Sequence, residues 1–81
     1  MTRAEILAGI DQIMTEGFEV EPALLKGEAR LIDDLGLDSL DGVDLVVALE
    51  KKFGCRIEEA DVRKMHTLGD IYEYCSGLVE K

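Results

Sequence analysis

The chain is short of positive charge. Nine Lys and Arg stand against 18 Asp and Glu, for a formal net charge of −9. A surface of that sign repels nucleic-acid phosphates and anionic lipid headgroups, so those partners are excluded. It attracts proteins that carry basic patches and speeds their encounter at low salt. Cysteine is scarce as well. Cys55 and Cys75 are too few and too far apart for a disulfide framework or a CxxC metal site, and read as two small apolar residues in a reducing compartment. The one histidine, His66, has no metal-binding partner at helical spacing and reads as a loop residue, so no metal site is expected. No long hydrophobic run is present: the longest, Leu45 to Leu49, is far too short to span a bilayer. The opening Met1-Thr2-Arg3-Ala4-Glu5 has no signal-peptide h-region. Together these absences predict a soluble, cytoplasmic, monomeric protein with no stable membrane insertion.

With 81 residues the chain has room for one domain, taken as 1–81. Apolar residues make up 47%, enough for a thin core but hardly for a core and an enclosed active site. A binding, carrier or interaction module is therefore expected rather than an enzyme.

The hydrophobic pattern is helical throughout. Thr2 and Glu5 have the spacing of a capping box, and Ile6, Leu7, Ile10, Ile13 and Met14 follow as an amphipathic stripe that Gly17 ends. From Gly17 to Asp38 the period is lost, and Pro22, Gly27 and Gly36 punctuate a long connection. Its scattered apolar residues imply a strap held against the core, with a short helical turn around Leu31 to Leu35. Asp38 is a suitable N-cap for a helix from Ser39 to Phe53, closed by Gly54. A short helix is expected within Glu58 to Lys64, with Val62 and Met65 inward. Thr67 and Asp70 open a last helix that carries Leu68, Ile71, Tyr72, Cys75, Leu78 and Val79. The predicted fold is all-α: a small four-helix bundle of three main helices and one short one, with a long loop between the first and second.

The second helix has two apolar stripes. Leu45, Val46, Leu49 and Phe53 are assigned to the core. Leu40, Val43 and Val47 form another stripe at i, i+3, i+7, rimmed by Asp41, Asp44 and Glu50. A helix apolar on two faces is either buried all round or offers one face to a partner. The acidic rim favours a partner.

From Leu31 through Glu50 there are six acids and no base. Acids at a helix start favour its dipole, which accounts for part of the clustering. The run Asp34-Leu35-Gly36-Leu37-Asp38-Ser39-Leu40-Asp41 also resembles, without a gap, the phosphopantetheine attachment motif of acyl carrier proteins. The resemblance continues through Val43 to Glu50, Phe53-Gly54 and Ile57, and more loosely to Tyr74. It implies a non-catalytic carrier whose Ser39 hydroxyl receives a 4'-phosphopantetheine arm from coenzyme A. It also implies a phosphopantetheinyl transferase that uses Mg²⁺ and grips Asp38 and Asp41. Acyl groups would ride on the arm's thiol as thioesters, passing between acyl-transfer and condensing enzymes with basic docking patches. Leu40, Val43, Asp44, Val47 and Glu50 complete the docking face. Nothing close in sequence would activate Ser39 as the protein's own nucleophile, since the nearest following Lys and His are Lys51 and His66.

The chain departs from the family pattern outside the motif. Lys51 and Lys52 stand where acids are frequent, Arg63 and Lys64 add bases to the third helix, Glu58 replaces a common proline, and Gly42 weakens the second helical turn. These departures bear on which enzymes the carrier serves. Two other classes compete. An EF-hand with Gly42 sixth would need ligands at Leu37 and Ala48, which have none to give. An acidic helical adaptor explains the charge and the second stripe but not the motif. A peptidyl or D-alanyl carrier would use the same serine, but the aspartates on each side of Ser39-Leu40 favour an acyl carrier.

Overall fold

The computed structural model describes residues 2–79, the side chain of Ser39 excepted. Among these residues lie four α-helices: α1 Arg3–Gly17, α2 Ser39–Phe53, α3 Glu59–Arg63 and α4 Leu68–Val79. Among the described residues no helix is long and apolar enough to cross a membrane. The capping box expected at α1 is formed: Glu5 N donates to Thr2 Oγ1 at 3.2 Å and Thr2 N to Glu5 Oε1 at 2.9 Å. Helix α2 has the expected bounds and ends at Gly54, whose φ of +64° is the left-handed cap that glycine takes without steric cost. Helix α3 is a single turn and a half, flanked by Glu58 and Lys64.

Helix α1 packs on α2 and α4, and α3 packs on α2. The centre of the core is Ile6, Ile10 and Met14 from α1, Leu45 and Leu49 from α2, and Leu68, Ile71 and Cys75 from α4, all buried. Each large aliphatic side chain there contributes about 1.5–3 kcal/mol by leaving water. Burial pushes the Cys75 thiol up to about 11, so it is a neutral core group. Two tyrosines tie α4 to its neighbours: Tyr72 donates to Asp11 of α1, and Tyr74 to Asp61 of α3 at 3.1 Å. Burial, then the Asp11 carboxylate, raises the Tyr72 hydroxyl far above its ordinary range, so it stays a donor.

The connection 18–38 is strapped down as expected. Pro22 starts a 3-10 turn, Pro22–Leu24. The expected helical turn at 31–35 is present but not continued into a helix: Asp34 N donates to Arg30 O at 2.9 Å and Gly36 N to Ile32 O at 3.1 Å, each four residues back, and Leu35 N shares the Arg30 carbonyl at 3.0 Å. Tertiary contacts keep it from extending. Leu31 N is taken by His66 O at 2.9 Å, while Leu31 O accepts from Leu37 N at 2.9 Å. Both backbone groups of Leu31 are therefore committed outside any helical ladder.

The strap also caps α4. The first amides of a helix have no partner within it. Here Leu68 N donates to Ala29 O at 2.9 Å and Gly69 N to Gly27 O at 2.8 Å. The side chains of Thr67 and Asp70 complete the end, with Asp70 Oδ2 accepting from His66 N and Thr67 N. Those amides hold the Asp70 carboxyl below the usual range. His66 is a loop residue, as expected.

Gly69 is needed because the strap lies so close: a Cβ there would stand 2.8 Å from Gly27 O. Gly69→Ala should therefore destabilise the fold by about 1–3 kcal/mol, despite alanine's better helix propensity. Gly77, exposed on the same helix with nothing near its missing Cβ, should become up to about 1 kcal/mol more stable as alanine. Thermal melts of the two variants should move in opposite directions; a shared upward shift would mean that the strap yields freely.

Candidate functional site

The site is built on the first turn of α2. Asp38 is extended, with φ −118° and ψ −172°, and its Oδ1 accepts from Leu40 N at 2.9 Å and Asp41 N at 3.0 Å. Asp41 Oδ2 returns the interaction, accepting from Asp38 N at 3.1 Å. Two aspartates thus close a reciprocal capping box around Ser39, which sets the backbone of that turn before any partner arrives. The Ser39 side chain lies outside the described residues. Upstream, Asp34 Oδ2 accepts from Arg30 N at 2.8 Å, and Gly36, with φ +72°, turns the chain toward α2. Asp34, Asp38 and Asp41 therefore each satisfy a backbone donor. Much of the acidic cluster is local architecture, with its remaining oxygens turned to solvent.

The two stripes of α2 separate as the sequence implied. Leu45, Val46 and Leu49 are buried and Phe53 is half-buried, whereas Leu40, Val43 and Val47 are 75%, 41% and 46% exposed. Leu40 is the most exposed large apolar residue described and lies one position after Ser39. Asp38 and Asp44 are exposed and Asp41 is half-exposed beside them. Glu50 is more withdrawn, because its Oε2 accepts from Ile57 N at 2.9 Å and so closes the loop after α2. The two lysines that follow do not act together. Lys52 turns to α1, where Nζ donates to Gln12 Oε1 at 2.8 Å and its stem passes Gly9. Lys51 is exposed, one helical turn beyond Val47 and on the same side of α2. Of the two lysines that depart from the family pattern, Lys52 thus reaches across the α1–α2 seam and Lys51 stands beside the exposed stripe.

Sequence reasoning missed a groove of about 350 Å³ beside the start of α2. Leu31, Leu37, Leu45, Val62 and Met65 give it an apolar wall. Its parts come from the strap, α2 and α3, and no periodicity in one segment could have joined them. An apolar groove thus opens beside a capped turn at the positive end of the α2 dipole. Arg63 of α3 also borders the groove and forms an exposed ion pair with Glu59 at 3.3 Å, worth at most about 1 kcal/mol.

Comparison with known proteins agrees with this arrangement. The phosphopantetheine attachment site family matches residues 9–75. The chain is 45% identical over 73 residues to the acyl carrier protein of Thermotoga maritima, covering 90% of each chain. It is 37% identical over 81 residues to the meromycolate extension acyl carrier proteins of Mycobacterium leprae and Mycobacterium tuberculosis, covering all of this chain and 70% of theirs.

The carboxylates gathered at this end repel one another, and a thin core has little margin against that. Raising NaCl from about 10 mM to about 500 mM should raise the melting temperature by screening, and Mg²⁺ at matched ionic strength should raise it further. A melting temperature indifferent to both would show the repulsion to be negligible.

Proposed function

The chain belongs to the acyl carrier protein family, and we propose on that premise that Ser39 is the residue that receives its 4'-phosphopantetheine. The observation that carries this reading is the gapless Asp34–Asp41 motif seated on a turn held by the Asp38–Asp41 box, within the matched residues. A phosphopantetheinyl transferase would direct the Ser39 hydroxyl at the pyrophosphate of coenzyme A, with Mg²⁺ offsetting the charge and 3',5'-adenosine bisphosphate leaving. The bound arm supplies a thiol that holds acyl groups as thioesters. The protein's part is address: it presents the arm at a rigid helix start and a face for enzymes to recognise. Members of the family are carriers rather than catalysts, and the proposed destinations of the cargo are fatty-acid, polyketide or related biosynthetic enzymes.

Docking is proposed to centre on Leu40, Val43 and Val47. Asp38, Asp41 and Asp44 steer basic patches toward Ser39, and Glu50 lies at the far edge. Lys51 then places one positive charge at the end of an otherwise acidic face. Enzymes whose patches expect continuous acid would be disfavoured there, which points to a specialised carrier rather than a general one.

Incubation with a broad-specificity transferase, coenzyme A and Mg²⁺ should add one arm, mapped by mass spectrometry to Ser39. Ser39→Ala should abolish the addition with helicity intact. Addition to that variant would mean that another residue is the acceptor, and a folded wild type that accepts no arm would favour the adaptor reading.

The docking face makes a separate forecast. Asp44→Lys should slow association with the transferase by about tenfold at low salt and much less at high salt. Val47→Ala should weaken binding about twofold to fivefold with little salt dependence, because it removes apolar contact. Identical salt profiles for the two variants would separate neither role and overturn this division of the face.

A further inference from the structure

The groove beside α2 is not uniformly apolar. Arg63 is the one cation among the described residues that line it, on the α3 side. Asp38 is the one anion, at the α2 end, and its Oδ1 is committed to the amides of Leu40 and Asp41. The groove is thus polarised, negative next to the attachment turn and positive across from it. Gly42, one turn after Ser39, also lines it, and a Cβ there would meet nothing within 4 Å. The groove is therefore unobstructed at Gly42, in the first turns of α2.

A plain alkyl cargo would use the apolar wall and gain nothing from a guanidinium beyond contact with its stem. On a protein of net charge −9, an anionic cargo would be repelled almost everywhere else. The existing partner of Arg63 is easily exchanged: the Glu59 contact is 3.3 Å long, and the two side chains are 64% and 43% exposed. A carboxylate brought into the groove can meet the guanidinium in the planar, two-pronged geometry that suits the pair. Resting on the reading of Ser39 above, we propose that this groove takes acyl cargo bearing a carboxylate distant from the thioester, and that Arg63 is the specificity-determining residue that holds it.

The test loads the protein with two cargoes from their coenzyme A thioesters: octanoyl, and the same chain ending in a carboxylate (suberoyl). Attachment is first mapped by mass, so failure of the Ser39 reading would appear there as an arm absent or on another residue. The rate of thioester cleavage by hydroxylamine is then measured for each loaded protein, relative to the same free coenzyme A thioester. The carboxylated cargo should be protected about threefold more than octanoyl at low salt, and the difference should fade at high salt. Arg63→Gln should erase the difference and leave octanoyl protection unchanged, while Arg63→Lys should keep part of it. Equal protection of the two cargoes in the wild type would overturn the proposal, as would a difference that survives Arg63→Gln. A loss of octanoyl protection in that variant would assign Arg63 a purely structural role. The Arg63 side-chain NMR signal supplies the remaining arm. A full shift on attachment of the unacylated arm would mean that Arg63 holds the phosphodiester instead, and would overturn the assignment to cargo.

Discussion

The backbone contact between the long connection and the start of α4 is the constraint on which the rest of the structure depends. The carbonyls of Gly27 and Ala29 take the amides of Gly69 and Leu68, and His66 O takes Leu31 N. These bonds serve two segments at once. They satisfy donors that α4 could not satisfy internally, and they give an otherwise aperiodic loop a defined register against the bundle. Leu31 and Leu37 can then enter the core, and the chain arrives at Asp38 in the direction α2 requires. The absence of a side chain at Gly69 is what lets the two backbones come so close.

From that fixed entry the functional end follows by short-range chemistry. Asp38 and Asp41 brace the turn of Ser39, the buried stripe of α2 anchors the helix, and the other stripe remains exposed. The same carboxylates serve structure and electrostatics together. An aspartate bonded to a backbone amide through one oxygen still contributes its charge to the field that a basic enzyme meets. This double use explains how so small a domain tolerates so many acids in one region. The capping bonds offset part of the repulsion that the clustering creates.

The short helix α3 has the least support of its own. Five residues are too few to be stable as an isolated helix. Val62 in the core, the Tyr74–Asp61 bond and packing on α2 hold it in place. Because it is positioned by neighbours, it can form one wall of a groove whose other walls are the strap and α2. The charge it carries there, on Arg63, becomes part of the environment of whatever the adjoining turn bears.

Much of this protein was legible in its residues alone. The capping pairs Thr2/Glu5 and Thr67/Asp70, the N-cap Asp38 and the terminator Gly54 marked helix ends, because capping is a contact between residues a few positions apart. The 3.6-residue period separated the buried face of α2 from the exposed one, and the Asp34–Asp41 motif pointed to the family that comparison then showed. Only the tertiary structure decided what depends on residues distant in the chain. It held the helical turn at 31–35 to a single turn by bonding Leu31 N to His66 O, and sent Lys52 to Gln12 while leaving Lys51 outward. It drew Glu50 onto Ile57 N, and brought Arg63 to the groove beside α2. The physical reason is the same in each case: a backbone amide or a long charged side chain takes the partner that packing brings nearest, and periodicity within one segment carries no information about it.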